Sequence, residues 1–260
     1  MGKQWGWLFA VLLLGACSPA PPVQDPAPHD PLQILFIGSS HLAWHDAPGV
    51  IDELITATGR SVHVGKVLKP GILLDQLSRD PDVLSAIAAR SWDFVVFQGA
   101  GMPIAYPESH HLTMPRLGKH PVEPAMATLA EASRKRGAKP IYMQPWAFED
   151  GLTWIAGHGE DHAAMQDAIT RNTTLMAHRL DLTVAPVGEA WRLAMTEHPE
   201  LPLFADDHNH PSVLGSYLMA CVISRVILGD MPVGLPVHGG VPENSALYLQ
   251  EVGRKIMIRR

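Results

Sequence analysis

Cysteine is almost missing from this chain, with two in 260 residues. Two thiols cannot staple a disulfide scaffold or build a zinc site from several thiolates. A basic surplus is missing too: 20 Lys and Arg against 26 Asp and Glu leave a formal charge of −6. That sign argues against a nucleic-acid partner, whose phosphates must be neutralised by Lys and Arg. Charged residues make up only 18% of the chain, whereas 47% is hydrophobic, which excludes a disordered polypeptide. The length suits one large domain or two small ones, with a sizeable core. What the chain does have in excess is proline and histidine, 23 and 14 respectively.

Residues 1–16 read as an export signal, with Lys3 as its positive start and Leu8 to Leu14 as its apolar run. The run falls well short of the ~20 residues that span a bilayer. It ends in Leu14-Gly15-Ala16-Cys17, which resembles the lipobox of bacterial lipoproteins. That resemblance implies cleavage before Cys17, acylation of its thiol, and lipid in place of the signal as anchor. Residues 17–31 then form a tether, with prolines at 19, 21, 22, 26, 28 and 31. Such a segment is semi-rigid and rises ~3.1 Å per residue. Ser18, where an aspartate would hold the protein back, resembles the pattern sent to the outer membrane. The expectation is a lipid-anchored monomer in the cell envelope, on the periplasmic face. The remaining thiol, Cys221, sits in an apolar helical stretch and reads as buried and inert.

From residue 32 onward, short apolar runs alternate with helical patterns. Leu32–Ile37, Ser61–Leu68, Phe94–Phe97, Pro140–Met143 and Leu182–Ala185 read as strands. Helices are expected over Pro48–Thr58, Leu73–Ala89 (broken near Asp80-Pro81), Glu123–Arg136, Asp161–Arg179, Pro211–Leu228 and Glu243–Ile256. Strands apolar on both faces imply a parallel sheet covered by helices on each side, a three-layer α/β/α sandwich over 32–260. Such sheets bind ligands beyond the carboxyl ends of their strands. The loops there start at Gly38, Lys69, Gln98, Gln144 and Pro186.

Two of those regions carry chemistry. Gly38-Ser39-Ser40 follows the first strand and can present a hydroxyl at the sheet edge. A serine needs a base and an orienter to act as a nucleophile. Asp207-His208-Asn209-His210 supplies an acid and an imidazole three residues apart, and one turn can bring the carboxylate to His210 Nδ1, leaving Nε2 for a serine. Taken alone, this Asp-x-x-His pair is equally a loop ion pair or a helix cap.

Together these blocks resemble the SGNH/GDSL hydrolase superfamily in its Gly-Asn-Ser variant. His45-Asp46-Ala47-Pro48 stands where the first block continues, and Asp207-x-x-His210-Pro211-Ser212 with Gly215-Ser216-Tyr217 is similar to the last block. The resemblance spans nearly all of 32–230. It implies a flavodoxin-like sandwich and cofactor-free ester hydrolysis through a serine acyl-enzyme. Ser40 matches the nucleophile, His210 the general base and Asp207 the residue that holds the imidazole tautomer. Ser39 stands where the family usually has Asp or Asn. The Ser40 backbone N–H and Gly71 match oxyanion donors, Gly71 being otherwise a plain turn glycine. The third block departs: Gln98-Gly99-Ala100-Gly101 replaces Gly-x-Asn-Asp, so Gln98 would have to donate its side-chain amide.

Three further readings stay open. His41 and His45, with His208, His210 and Asp207, could instead hold a metal through nitrogen and oxygen ligands. Trp44, Trp146 and Trp154 lie near the active-site loops and could grip a sugar ring or an apolar acyl group, which points to an acylated carbohydrate outside the cytoplasm. The same triad could serve acyl transfer to a glycan, and the altered third block leaves room for a non-catalytic glycan-binding lipoprotein.

Overall fold

The structure, a computed structural model, describes residues 1–2, 30–106, 121–153 and 161–258. Cys17, nearly all of the expected signal and tether, and Trp154 lie outside the described residues. No helix among the described residues is long and apolar enough to cross a membrane.

Five strands form one sheet: β1 (Leu32–Gly38), β2 (Val62–Leu68), β3 (Phe94–Gln98), β4 (Lys139–Met143) and β5 (Thr183–Ala185). Their order is β2-β1-β3-β4-β5 and every pairing is parallel. The central strands are apolar on both sides because both sides are covered. Ile34 and Phe36 of β1 face one core, with Val96, Ile141 and Met143. Leu35 and Ile37 face the other, with Val95, Phe97 and Tyr142. This is the expected three-layer α/β/α sandwich.

One helical layer consists of α2 (Ala47–Ala57), α8 (Val187–Glu197), α9 (Val213–Leu228) and α10 (Glu243–Lys255). The other holds α3 (Leu74–Leu77), α4 (Pro81–Ala88), α5 (Gly101–Ala105), α6 (Val122–Arg134) and α7 (His162–Leu180). A short α1 (Ser40–Ala43) and a 3-10 turn (Trp44–Asp46) lead from β1 into α2. The chain runs from β1 to β2 on one side, then crosses back past β1 to β3. The carboxyl end of β1 is therefore the switch point, where parallel sheets of this order open a crevice.

Most expected elements fall within a residue or two of their observed bounds. The differences have local causes. The helix expected to open at Pro211 begins at Val213, because Ser212 caps it: its hydroxyl accepts from Gly215 N–H at 3.2 Å. Pro211 instead pairs with Phe204 in an isolated bridge. Helix α8 was not anticipated, although Val187, Ala190, Trp191 and Ala194 give it a buried stripe. Cys221 lies buried within α9, as its neighbours suggested. Burial pushes its thiol pKa upward, far from a reactive thiolate.

The end of α9 sits tightly on the segment that carries the second chemical block. A Cβ at Gly215 would lie 2.3 Å from the Leu203 carbonyl oxygen and 2.6 Å from the Trp191 ring. Neither neighbour can move freely, since Trp191 is fully buried. Gly215→Ala should therefore cost about 1–3 kcal/mol of stability, the usual penalty for overpacking. A urea titration should show a lower midpoint with an unchanged slope.

Candidate active site

Ser40 is the first residue of α1, directly beyond β1. Its backbone N–H lies before the start of the helical hydrogen-bond ladder and is free of it. Ser39, one residue earlier, is buried and braced by Gln98 at the end of β3: Gln98 Oε1 accepts from Ser39 N–H at 3.0 Å and from Ser39 Oγ at 3.1 Å. Ser39 thus takes an anchoring place where the resembled family has Asp or Asn.

The second block folds as a closed loop. Ala205 N–H donates to His210 O at 2.9 Å, and Ser212 N–H to Leu203 O at 2.9 Å. Inside it, Asp207 Oδ1 accepts from the backbone N–H groups of Asn209 (3.1 Å) and His210 (2.9 Å). The other oxygen, Oδ2, lies 2.5 Å from His210 Nδ1. Burial alone would raise the Asp207 pKa. The His210 ring and the two backbone donors outweigh it and hold the carboxyl below its ordinary value. An ionised carboxylate only accepts, so His210 Nδ1 carries the proton and Nε2 is left as an acceptor. Nε2 faces Ser40 Oγ at 2.8 Å. The structure therefore links Ser40, His210 and Asp207 in one chain of contacts, the geometry by which a base can take a hydroxyl proton while a carboxylate orients it.

Other parts of the chain clamp the loop from outside. Trp146 Nε1–H donates to Asn209 O at 2.9 Å. His208, in the left-handed region at φ +59°, lies 2.8 Å from Glu149 Oε2, and Glu149 N–H donates to His208 O at 2.9 Å.

The remaining expected site residues are placed differently from one another. Gly71 occupies a turn in which Ile72 N–H donates to Lys69 O at 3.2 Å, with φ +79° at Gly71. With Pro70 before it, this is the glycine position of a type II turn, a sufficient reason for the residue type. Gln98 was expected to donate its amide to an oxyanion. Instead its oxygen braces Ser39 while its Nε2 is buried without a partner among the described residues. Trp146 was expected as an exposed platform and is only 2% exposed. It stacks on Trp191 with centroids 4.1 Å apart, so it belongs to the core and to the clamp on Asn209. Trp44 does reach the site: its indole lies parallel to the His210 ring at 4.3 Å. Among the described residues, no three His, Cys, Asp or Glu side chains cluster as a metal site would require. His208 turns away to Glu149, and His41 takes another role.

His41 is the residue that sequence reasoning misplaced most. It is buried, stacks on His210 at 5.1 Å, and meets the edge of Trp146 at 5.0 Å. Its Nε2 lies 3.2 Å from Asn209 Oδ1, whereas Nδ1 is buried without a partner. Its position next to Ser40 was the available signal. Burial first, and then the neighbouring His210, push the His41 pKa down to about 4. In the unfolded chain it would protonate near the ordinary imidazole value of about 6.5. As pH falls through that window the unfolded state gains a proton that the folded state refuses, so the fold loses stability. His41→Gln should flatten stability against pH there by about 1.4 kcal/mol per pH unit, one proton's worth. Urea titrations across the window measure it; an unchanged slope would show that His41 stays ionised in the fold.

No family model matches the sequence, and neither does any curated protein. Solved structures do match. A protein from Slackia heliotrinireducens, provisionally described as an SGNH hydrolase, superposes with a TM-score of 0.60 at 24% identity, over 75% of this chain and 98% of that one. A DUF4886 family protein from Bacteroides uniformis gives a TM-score of 0.67 at 17% identity, over 86% and 93%. A variant of an acetyl xylan esterase from Geobacillus stearothermophilus gives 0.57 at 14% identity, over 75% and 94%. The parallel five-stranded sheet, its helical layers and these superpositions together give this chain the fold of the SGNH hydrolases.

Proposed function

We propose that this protein is a serine esterase that hydrolyses carboxylic esters through an acyl-enzyme. The observation that carries the reading is the aligned contact pair Ser40 Oγ to His210 Nε2 (2.8 Å) and His210 Nδ1 to Asp207 Oδ2 (2.5 Å). Ser40 Oγ attacks the ester carbonyl as its proton passes to His210 Nε2. The tetrahedral oxyanion collapses, the C–O bond to the alcohol breaks, and His210 returns the proton to the leaving oxygen. Water then repeats the sequence on the acyl-Ser40 ester, releasing the acid. Asp207 keeps the imidazole in the productive tautomer and balances its charge. The Ser40 N–H and the Gly71 N–H are the oxyanion donors in this scheme, and Gln98 holds Ser39 behind them.

The substrate class in this reading is an acylated carbohydrate outside the cytoplasm. One structural neighbour is described as an acetyl xylan esterase, which supports that class. The lipobox-like Leu14-Gly15-Ala16-Cys17 supports a lipid anchor at the periplasmic face of the envelope, with the prolines of 18–31 as spacer.

A fluorophosphonate probe should label the wild-type protein and leave Ser40→Ala unlabelled. Labelling that survives Ser40→Ala would remove Ser40 as nucleophile. Asp207→Asn should lower kcat on the order of 10⁴-fold with little change in fold, because the tautomer is lost. For the anchor, wild-type cells grown with radioactive palmitate should yield labelled protein, and Cys17→Ala should yield none.

A further inference from the structure

The His210 ring has a neighbour on its face that the triad does not account for. The Trp44 indole lies over it with centroids 4.3 Å apart and planes 9° from parallel. Trp44 is held there from both sides of the chain. Its carbonyl accepts from Ser216 Oγ of α9 at 3.4 Å. The next two residues, His45 and Asp46, both take left-handed backbone angles, φ +53° and +45°. That turn lets the chain leave α1, set down the indole and enter α2, where the Asp46 side chain caps Gly49 N–H at 3.3 Å. Trp44 is 37% exposed, so its placement is not explained by core packing. A second ring, His41, stacks on His210 at 5.1 Å. Among the described residues, the carboxylate hydrogen-bonded to the His210 ring is that of Asp207.

We propose that Trp44 is a positioning residue that stabilises the His210 imidazolium formed while Ser40 gives up its proton. The inference rests on the serine-esterase reading above. In this scheme the His210 ring starts with Nε2 facing Ser40 Oγ at 2.8 Å. In the transition state it becomes a cation, once the Oγ–H bond breaks and Oγ bonds to the carbonyl carbon. An indole face attracts a cation more strongly than a neutral ring, so the stack tightens as the proton arrives. An interaction that strengthens only in the transition state raises kcat and leaves KM alone. A sugar platform would do the reverse.

The test uses steady-state kinetics on p-nitrophenyl acetate and on an acetylated xylooligosaccharide, with wild type, Trp44→Phe and Trp44→Leu. Trp44→Leu should lower kcat about 3- to 30-fold, the range of a cation held on an indole, with KM within about twofold. Trp44→Phe should recover part of the loss, because a smaller aromatic face remains. Thermal melts of each variant show whether it folds. If Trp44→Leu does not fold, Trp44→Phe alone decides, by a fall in kcat at constant KM. A rise in KM at unchanged kcat would overturn the proposal and make Trp44 a substrate contact. Equal losses in the Phe and Leu variants would overturn it as well, since packing alone would then suffice. Fluorophosphonate labelling separates this failure from that of the esterase reading. An unlabelled wild type removes the esterase; a labelled wild type with kcat matched by Trp44→Leu removes only the role of Trp44.

Discussion

The 2.8 Å approach of Ser40 Oγ to His210 Nε2 joins residues 170 positions apart in the chain. One hydrogen bond nets only about 1 kcal/mol, too little to hold two distant segments at that separation. The surrounding structure supplies the rest. Gln98 pins Ser39 on the sheet side. On the other side, the Phe204–Pro211 bridge closes the loop, Ser212 caps α9 beneath it, and Trp146 and Glu149 grip Asn209 and His208 from the β4 side. The close seating of Gly215 on Leu203 fixes how α9 meets that loop. The site is thus a junction of three strand ends and two helix starts.

Charge enters this arrangement less than the ion pairs suggest. The Asp207 side chain is 45% exposed and those of His208 and Glu149 are 60% and 38% exposed. Water and salt screen such pairs, which contribute little to stability on their own. Asp207 is held in place by directed bonds, two backbone N–H groups and the imidazole. Those directed bonds outweigh the desolvation of the partly exposed carboxylate and keep it below its ordinary pKa and aimed at the ring.

Much of the frame was legible in the sequence because its signals are local. The apolar runs of β1, β3 and β4, and the proline and capping residues around α2 and α4, each carry their meaning within a few positions. Ser40, Asp207 and His210 stood out through their resemblance to two blocks of a known family, since the Asp-x-x-His pair alone reads equally as a loop ion pair or cap, and the structure sets their side chains in contact. What was missed depends on long-range partners. Trp146 is buried because Trp191 and the Asn209 carbonyl receive it, the latter 63 residues away. Gln98 turns its oxygen to Ser39, 59 residues away, a choice of amide direction that no spacing encodes. Helix α5 is five residues long and lacks a side-chain cap, so it had little local signal to read. Helix α8 did have its stripe, hidden behind a strand-end loop reading.

The two rings on His210 differ in a way that suits a single mobile proton. Burial and the neighbouring imidazole keep His41 uncharged until about pH 4. In the proposed esterase, a second cation 5.1 Å from His210 would oppose the imidazolium that acylation needs, and the buried position prevents it. Trp44 carries no titratable group, so its half-exposed place costs nothing in charge and offers only an electron-rich face. Exchanging the two would fail on both counts. A histidine at position 44 could protonate beside the base, and an indole at 41 would lose the Nε2 contact to Asn209 Oδ1 that ties α1 to the loop. On the proposed mechanism, the order Ser40-His41 followed by Trp44 therefore sets one charge-proof neighbour and one cation-receptive neighbour around the imidazole, within a single turn after β1.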